Sequence, residues 1–272
     1  MNTLTHHYQQ HLRVNDVLGQ VAEHYPSGPT LFELAPLDQL HIGGIKASAK
    51  LIQLLDAKTH PRVLDIGAGV GGLMRQAAEL GFVLVGLDIT HGFNRLNQGL
   101  SVLSGLEERA QCVTGDATHL PFATASMDAV LFQHSFLNMP DGQAVLSECR
   151  RVLRPGGKLV MHEVVSGPNA LAMRYPVPWA SDAAHSHLES AASLKTRLRD
   201  AGFYLNHFND WSEDALAWRK RQRQREKETQ NQRQAHLSPQ LVFGERFLTM
   251  GKNLVANLAD EAIKVVEIEA SC

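Results

Sequence analysis

The sequence predicts an α/β fold with a mostly parallel, Rossmann-like sheet, helices between the strands, and an added helical cap. Three observations carry this prediction. An apolar run from Arg62 to Ile66 passes directly into a glycine-rich turn and then into a helical pattern that starts at Leu73. Further short apolar runs alternate with helical patterns along the chain, as in strand–helix–strand units. A long polar, helix-prone stretch after Trp211 interrupts this alternation and predicts the cap.

The glycine-rich turn is the first candidate for a ligand site. Asp65 stands two residues before Gly67, and Gly69 and Gly71 follow at alternate positions. Gly67 and Gly69 let the chain turn sharply and let a ligand approach the backbone, while Gly71 lets the next helix pack close to the strand. Free N–H groups at the start of that helix can hold a polar or anionic group. The alternative is a tight turn with a helix-capping acid.

Length and composition suit one large domain or one domain with a lid, since the chain has 272 residues, of which 44% are hydrophobic. The formal net charge of -2 shows no bias toward polyanionic partners.

Three scattered cysteines, Cys112, Cys149 and Cys272, argue against a disulfide framework. Because the chain opens with no leader-like segment and contains no 18-residue apolar run, we expect a soluble, cytoplasmic protein without a membrane partner.

Three acids and one longer segment resemble a known family. The glycine turn has the order D-x-G-x-G-x-G from Asp65, the second apolar run ends in Asp88, and a Gly-Asp-Ala triplet stands at 115–117. The run E-x-x-R-V-L-R-P-G-G-x-L-V from Glu148 is similar to the segment that leads into the family's fifth strand. Together these features resemble class I S-adenosylmethionine (SAM)-dependent methyltransferases over nearly the whole chain. The resemblance implies a seven-stranded sheet with an antiparallel last strand, and SAM as cofactor without a metal.

The resemblance also implies a role for individual residues around the cofactor. Asp88 would take the ribose hydroxyls. Asp116 would accept a hydrogen bond from the adenine amino group, and the N–H of Ala117 would meet a ring nitrogen. The alternative interpretation of Asp116 is that its side chain only stabilises a turn. The implied cofactor-binding residues are Asp65, Gly67, Ala68, Gly69, Gly71, Asp88, Ile89, Asp116, Ala117 and Gln133.

Two further segments resemble one subgroup of that family, the glycine/sarcosine/dimethylglycine methyltransferases. The first is the run L-D-Q-x-H-x-G-G upstream of the glycine turn, which implies substrate contacts at Gln39 and His41. The second is P-V-P-W-A, where Tyr175 and Trp179 would form an aromatic wall for a methylated cation, worth roughly 0.5–2 kcal/mol per ring. The alternatives are a helix-capping loop with a packed histidine and a packed loop without ligand contacts.

Three histidines are candidates for proton transfer or substrate orientation, namely His41, which we rank first, His134 and His162. An unperturbed imidazole has a pKa close to working pH. His134 follows a buried-strand pattern over 126–132, and ligands lie outside the carboxyl ends of parallel strands. The alternative for His134 is a side chain packed beneath the cofactor. The implied chemistry is in-line displacement, for which the protein must align the reacting atoms at about 3–3.5 Å and exclude water.

The expected domain organisation has four parts. Residues 1–60 form an N-terminal helical segment that closes over the cofactor, 61–210 the SAM-binding core, 211–260 the helical cap, and 261–272 the last strand. The tract 219–233 is rich in Arg, Lys, Gln and Glu, and we interpret it as a solvated helix of the cap. Nucleic-acid binding is the alternative for this tract.

Two groups of histidines are candidate metal ligands. These groups are His6, His7 and His11, near the start of the chain, and His185 and His187. The pair has zinc-like spacing, but a zinc site needs about four ligands in a cluster. We therefore expect no metal site at either group.

The resemblance implies a SAM-dependent methyltransferase that acts on a small molecule, and the resemblance to the subgroup makes an amine nitrogen the first choice of acceptor. C- or O-methylation of a natural product, a quinone or an isoprenoid is the alternative. A function of another class is a non-catalytic SAM-binding domain that acts through a protein or RNA partner. NAD-dependent chemistry fits the order of the glycines less well. We expect no nucleic-acid partner. The sequence does not determine the oligomeric state, and a homodimer is compatible with it.

Overall fold

The fold is built on one sheet of seven strands, in the spatial order β3-β2-β1-β4-β5-β7-β6. A computed structural model of the protein describes residues 12–230 and 237–272. Strand β7 pairs antiparallel with β5 and β6, and the other neighbouring strands pair parallel. The predicted fold class, with its antiparallel last strand, is therefore confirmed. The strands are β1 (Arg62–Ile66), β2 (Val83–Asp88), β3 (Ala110–Thr114), β4 (Met127–Gln133), β5 (Leu153–Ser166), β6 (Tyr204–Asp210) and β7 (Ile263–Ser271).

Helices flank this sheet, others precede β1 in the N-terminal segment, and others lie between β6 and β7 in the stretch that we call the cap. In the N-terminal segment they are α1 (Val14–His24), α2 (Leu31–Asp38) and α3 (Gly44–Gln53). Between the strands they are α4 (Gly72–Glu79), α5 (His91–Leu103), α6 (Gly142–Val152) and α7 (Ala191–Asp200). In the cap they are α8 (Ser212–Gln230), α9 (Gln240–Phe243) and α10 (Phe247–Ala259).

The central strands are apolar on both faces because helices cover both sides of the sheet. Alternate residues of β1 belong to two different apolar clusters: Leu64 and Ile66 to one, Val63 to the other. Along β4, Val130 packs with the first cluster and Leu131 with the second. This alternation is the period of two expected of a strand whose faces are both buried.

The position of the ligand site follows from the strand order. From β1 the chain moves outward to β2 and β3, and it then returns to place β4 on the other side of β1. The order of the strands thus reverses between β1 and β4. In open α/β sheets, ligands bind in the crevice outside the carboxyl ends of the strands at such a point. Strands β1 and β4 end there at Ile66 and Gln133.

Two elements of the chain are irregular. Residues 154–157 lie inside β5, whose pairing with β4 jumps from Leu153 to Lys158, so they form an irregular part of the strand. The helical stretch from Gln240 to Ala259 is interrupted between α9 and α10. Gly244 ends α9 with φ 67° and ψ -161°, a conformation that is essentially restricted to glycine and that cannot continue a helix.

Some sequence predictions fall on residues outside the described ranges. These are the interpretation of His6, His7 and His11, and of the last residues of the tract 219–233, whose first part continues α8. Within 12–230 and 237–272, no helix combines the length and the apolar character that crossing a membrane requires. The same residues contain no group of three or more His, Cys, Asp or Glu side chains placed to hold a metal ion.

Candidate active site

A cavity of about 410 Å³ lies at the carboxyl ends of β1 to β4. It opens at the switch point of the sheet, where the strand order predicts a ligand site. Val242 and Phe243 of the cap line the same cavity. Of the residues implied to bind the cofactor, Gly67, Gly69, Asp88, Ile89, Asp116 and Ala117 line it. The structure thus brings the ends of four separate strands to one cavity.

Asp88 at the end of β2 holds the glycine turn in place. Its Oδ2 accepts a hydrogen bond from the N–H of Gly69 at 3.0 Å, and its Oδ1 accepts one from the N–H of Thr90 at 2.8 Å. Burial raises the pKa of Asp88, and these hydrogen bonds oppose that shift because they favour the charged carboxylate. The side chain is therefore both a wall of the cavity and a support of the turn.

Two glycines of the turn have different roles, although both have positive φ. Gly69 has φ +53°, and a Cβ built there meets nothing within 4 Å, because the residue faces the open cavity. Gly71 has φ +83°, and a Cβ built there would overlap the side-chain oxygen of Asn97. Gly69 thus leaves room for a ligand, whereas Gly71 leaves room for helix α5.

A second cavity of about 140 Å³ adjoins the first. Among its lining residues are several that the sequence singled out for the cofactor or the substrate: His41, Asp65, Ala68, Gln133, His134 and Trp179. The residues that line both cavities are Leu40, Gly67, Gly69, Val70, His134 and Phe243. We call the two spaces the larger cavity and the smaller cavity.

The three candidate histidines form one cluster. The ring centroid of His41 lies 5.9 Å from that of His134 and 6.3 Å from that of His162. The rings of His134 and His162 stack with their centroids 5.0 Å apart. Nε2 of His162 donates to the carbonyl oxygen of Ile42 at 3.0 Å. Residues separated widely in the sequence therefore meet beside the smaller cavity, although His162 itself lines neither cavity.

The pKa near neutrality expected of these histidines is wrong, because His162 is fully buried and His41 and His134 are partly buried beside it. Burial, reinforced by the neighbouring His162, lowers the pKa of His41 to about 3. Burial also lowers the pKa of His162 to about 4, and it lowers the pKa of His134 well below its usual value. The cluster is accordingly uncharged at neutral pH, and its imidazoles are weak bases that can still donate or accept hydrogen bonds.

His134 has a backbone conformation that is rare for a residue with a side chain. Its φ is 54°, in the left-handed region, and its N–H donates to the carbonyl oxygen of His162 at 2.8 Å. Such conformations cost free energy and cluster at functional sites. This geometry turns the chain at the end of β4 and leaves His134 in the wall between the two cavities.

Two residues predicted to contact substrate line neither cavity. Gln39 uses Oε1 to accept a hydrogen bond from Ser48 Oγ at 2.8 Å. Tyr175 packs against the apolar cluster that contains Trp179 and Trp211. Of the two rings in the predicted aromatic wall, Trp179 therefore lines the smaller cavity and Tyr175 does not.

A buried ion pair beside the smaller cavity was not predicted from the sequence. Arg75 of α4 is fully buried, and its Nη2 donates to Asp38 Oδ2 at 2.8 Å. Its Nη1 donates to Asn97 Oδ1 at 2.9 Å and to Ser101 Oγ at 3.2 Å. Burial raises the pKa of Asp38 to about 6, and the charge of Arg75 opposes this rise. The pair ties α2, which carries Asp38 into the smaller cavity, to the core.

Two buried acids near the site have raised pKa values. Burial, followed by the charge of Asp88, raises the pKa of Asp65 to about 7. Burial also raises the pKa of Glu163 to about 7, although its Oε1 accepts hydrogen bonds from the N–H groups of Ser135 and Phe136, both at 2.9 Å. Glu163 therefore supports the loop that follows His134.

We expect the substitution Glu163→Gln to become more stabilising, relative to the native chain, as pH rises from 4.5 to 8. A carboxyl whose folded pKa is raised stabilises the fold while it is protonated, and this contribution is lost as pH rises through about 7. Glutamine keeps an acceptor oxygen and does not titrate. The difference in the free energy of unfolding should change by about 3 kcal/mol. Urea unfolding of both proteins across this range measures it, and a difference independent of pH would contradict the assignment.

The central part of the chain matches a known family. Residues 64–161, a little over a third of the chain, match the family model described as a methyltransferase domain. Methyltransferase GfsG from Streptomyces halstedii is 32% identical over 143 residues, which cover 52% of this chain and 50% of that protein. This chain thus spans about half the length of that relative.

Two further comparisons cover more of the chain. The ubiquinone/menaquinone biosynthesis C-methyltransferase UbiE from Ralstonia pickettii is 29% identical over 208 residues, which cover 72% of this chain and 83% of the relative. Phosphoethanolamine N-methyltransferase 2 from Haemonchus contortus, solved with S-adenosyl-L-methionine, superposes with a TM-score of 0.76. The superposition covers 100% of this chain and 60% of the H. contortus chain, and the two sequences are 17% identical. At this identity the similarity shows a shared fold.

Proposed function

We propose, from a fold and a central domain shared with methyltransferases, that this protein transfers a methyl group from SAM to a small-molecule acceptor. One observation carries the proposal. The larger cavity, lined by the glycine turn and by acids that include Asp88 and Asp116, adjoins the smaller cavity, and both share the glycine turn and His134 as walls. A donor in one cavity and an acceptor in the other would meet at this common wall.

The residues of the larger cavity fit SAM. Gly69 leaves open space where a side chain would stand, so that a ligand can reach the backbone of the turn. Asp88 and Asp116 line the cavity at the ends of two neighbouring strands, where they would hold the ribose hydroxyls and the adenine amino group. A volume of about 410 Å³ lies in the range of small-molecule sites.

The chain's own contribution to the reaction is orientation and exclusion of water. SAM, when bound, supplies a methyl group that its sulfonium already activates. The backbone of the turn and the walls shared by the two cavities would align the acceptor with that group. Phe243 lines both cavities and would help to keep water out. The uncharged imidazoles of the histidine cluster place no positive charge near a sulfonium.

An amine nitrogen is our first choice of methyl acceptor. Trp179 lines the smaller cavity and could face a methylated cation. The H. contortus enzyme of the same fold is named as an N-methyltransferase. An amine must be neutral to attack, and the histidines are too weakly basic to take its proton. Burial in the smaller cavity would itself lower the pKa of the amine.

A carbon or oxygen acceptor is the second candidate. The relative from R. pickettii, which shares most of its length with this chain, is named as a C-methyltransferase. The smaller cavity also contains polar nitrogen atoms that no protein group satisfies in the described part of the chain. Such atoms suit an acceptor that carries oxygen, and this candidate therefore stays beside the first.

The direct test measures cofactor binding and then product formation. Calorimetry with SAM and S-adenosylhomocysteine, with NAD as control, should show micromolar affinity for the first two only. Mass spectrometry of reactions with amines, phenols and isoprenoids should then show a gain of one methyl group. Binding without any methylated product would favour a non-catalytic SAM-binding domain. Absence of SAM binding would overturn the proposal.

A pair of glycine substitutions tests where the cofactor binds. Gly69 and Gly81 both have positive φ, and a Cβ at either meets nothing within 4 Å, but only Gly69 of the two lines the larger cavity. Both alanine substitutions should cost a similar free energy of unfolding, about 1–2 kcal/mol. We expect Gly69→Ala to weaken S-adenosylhomocysteine binding about tenfold or more, because its Cβ enters the cavity. Gly81→Ala should leave the affinity unchanged, and equal affinities of the two variants would place the cofactor elsewhere.

A further inference from the structure

Two buried nitrogen atoms at the smaller cavity lack a protein partner. Trp179 is 5% exposed, and its indole Nε1 makes no hydrogen bond with the described part of the chain. Nε2 of His134 is buried and unpartnered in the same way. Both residues line the smaller cavity. Because buried polar groups in proteins are almost always hydrogen-bonded, two such atoms in the wall of one cavity indicate a ligand group that satisfies them.

Two other unpartnered atoms at this cavity have a different assignment. Ser48 donates its one hydroxyl hydrogen to Gln39 Oε1 at 2.8 Å, so the side-chain amide of Gln133, 3.2 Å from Ser48 Oγ, is satisfied when its N–H group faces that oxygen. Asp38 Oδ1 belongs to the carboxylate that Arg75 neutralises through the other oxygen. Trp179 and His134 therefore remain for the acceptor molecule.

The chemistry of the two atoms restricts what can satisfy them. An indole N–H is a donor only, and a neutral imidazole nitrogen can donate or accept. A hydroxyl, carbonyl or charged oxygen accepts from the indole N–H, and it can either donate to the imidazole nitrogen or accept from its N–H form. An ammonium group has donors only, so it can lie over the tryptophan ring but leaves the indole N–H unsatisfied. A neutral amine needs its one lone pair to attack the methyl group, so that pair cannot accept from the indole N–H at the same time.

We propose that Trp179 and His134 bind an oxygen atom of the acceptor, so that the substrate of this protein is an oxygen-bearing small molecule. This inference rests on the proposed function, because it specifies the occupant of the smaller cavity. It holds for a hydroxylated amine and for a phenol or enol, since each presents the same oxygen to the two residues. An acceptor without oxygen would leave both nitrogen atoms desolvated and unpaired, and we expect it to bind more weakly.

The experiment compares ligands that differ only in this oxygen. Two matched pairs replace a hydroxyl by a methyl group: phenol with toluene, and N,N-dimethylethanolamine with N,N-dimethylpropylamine. Calorimetry measures the binding of each to the complex of the native protein with S-adenosylhomocysteine. We expect the hydroxyl member of at least one pair to bind about tenfold more tightly, as one satisfied hydrogen bond predicts. Absence of a preference in both pairs, including absence of binding, would overturn the proposal.

Two tryptophan variants provide the matched control. Trp179→Phe keeps an aromatic ring and removes the N–H, so it should abolish the preference for the hydroxyl member. Trp211 also has a buried Nε1 that makes no hydrogen bond with the residues that the structure describes, but it lines neither cavity, so Trp211→Phe should retain the preference. A preference that survives in Trp179→Phe, or disappears equally in both variants, would contradict the assignment.

Two readouts separate this inference from the proposed function. Trp179→Phe should leave the affinity for S-adenosylhomocysteine unchanged, and a loss there would assign the N–H to the cofactor instead. Methyl transfer to N,N-dimethylethanolamine or phenol, followed by mass spectrometry, tests the proposed function alone. Oxygen-dependent binding without methyl transfer would support the inference and contradict the proposed function. Methyl transfer to acceptors whose binding does not depend on the oxygen would support the proposed function and contradict the inference.

Discussion

Replacing Arg75 by methionine should lower the free energy of unfolding by about 3–5 kcal/mol, because it leaves a buried carboxylate without its partner. The guanidinium is fully buried and donates to Asp38, Asn97 and Ser101, and also to the carbonyl oxygen of Val70. Methionine has a similar volume but satisfies none of these acceptors. Urea unfolding at pH 8, followed by circular dichroism, measures the loss.

Two comparisons show whether the effect comes from the buried pair. Arg174 pairs with Asp260 at 2.8 Å with both side chains about half exposed, so Arg174→Met should cost less than about 1 kcal/mol. The double substitution Asp38→Leu with Arg75→Met removes both charges, and it should restore part of the lost stability. If the double variant is as unstable as the sum of its single variants, the two residues are not coupled.

The loss in Arg75→Met should also depend on pH. Asp38 has a pKa of about 6 in the presence of Arg75, and removal of the guanidinium takes away the contribution that lowers it. A carboxyl with a raised folded pKa stabilises the fold at low pH and loses that contribution as pH rises through its folded pKa. The deficit should therefore be smaller at pH 5 than at pH 8.

Replacing Asp88 by alanine should weaken SAM and S-adenosylhomocysteine binding about 100-fold or more. Hydrogen bonds to a charged group contribute about 1.5–3 kcal/mol each. The carboxylate lines the larger cavity, where it would hold the ribose hydroxyls, and it also accepts from the N–H of Gly69. Calorimetry gives the affinity, and thermal unfolding shows whether the variant is folded.

An analogue without ribose hydroxyls separates these two roles of Asp88. S-(2′,3′-dideoxyadenosyl)homocysteine should bind the native protein weakly, and Asp88→Ala should weaken it little further. If the substitution weakens both ligands by the same factor, Asp88 acts through the glycine turn and not on the ribose. Unchanged affinity for S-adenosylhomocysteine would refute both roles.

Several residues that the sequence singled out lie together in the larger cavity because its walls come from the ends of consecutive strands. Asp88 and Asp116 each follow a short apolar run, and parallel strands bring such ends to one edge of the sheet. Local patterns are sufficient for this inference. The same holds for His134, which follows β4 directly and lines both cavities.

What the sequence could not predict depends on contacts between distant segments. Phe243 lines both cavities from the cap, and no local motif marks it. The Asp38–Arg75 pair joins residues of two helices that meet only in the folded chain. The low pKa of His41 follows from burial and from a second histidine more than 100 positions away, so an unperturbed value was the wrong guide.

The position of β7 has a consequence for how the chain folds. Although β7 follows the other six strands in the sequence, it lies between β5 and β6, and within residues 12–230 and 237–272 it is the one strand that pairs with β6. Strand β6 therefore cannot join the sheet until a strand that follows the whole cap has arrived. Pairing over such a sequence distance carries a high loop-closure entropy and slows folding. Until it is complete, β5 presents an unpaired edge of the kind that other chains can join, so the final docking step is the one most exposed to aggregation.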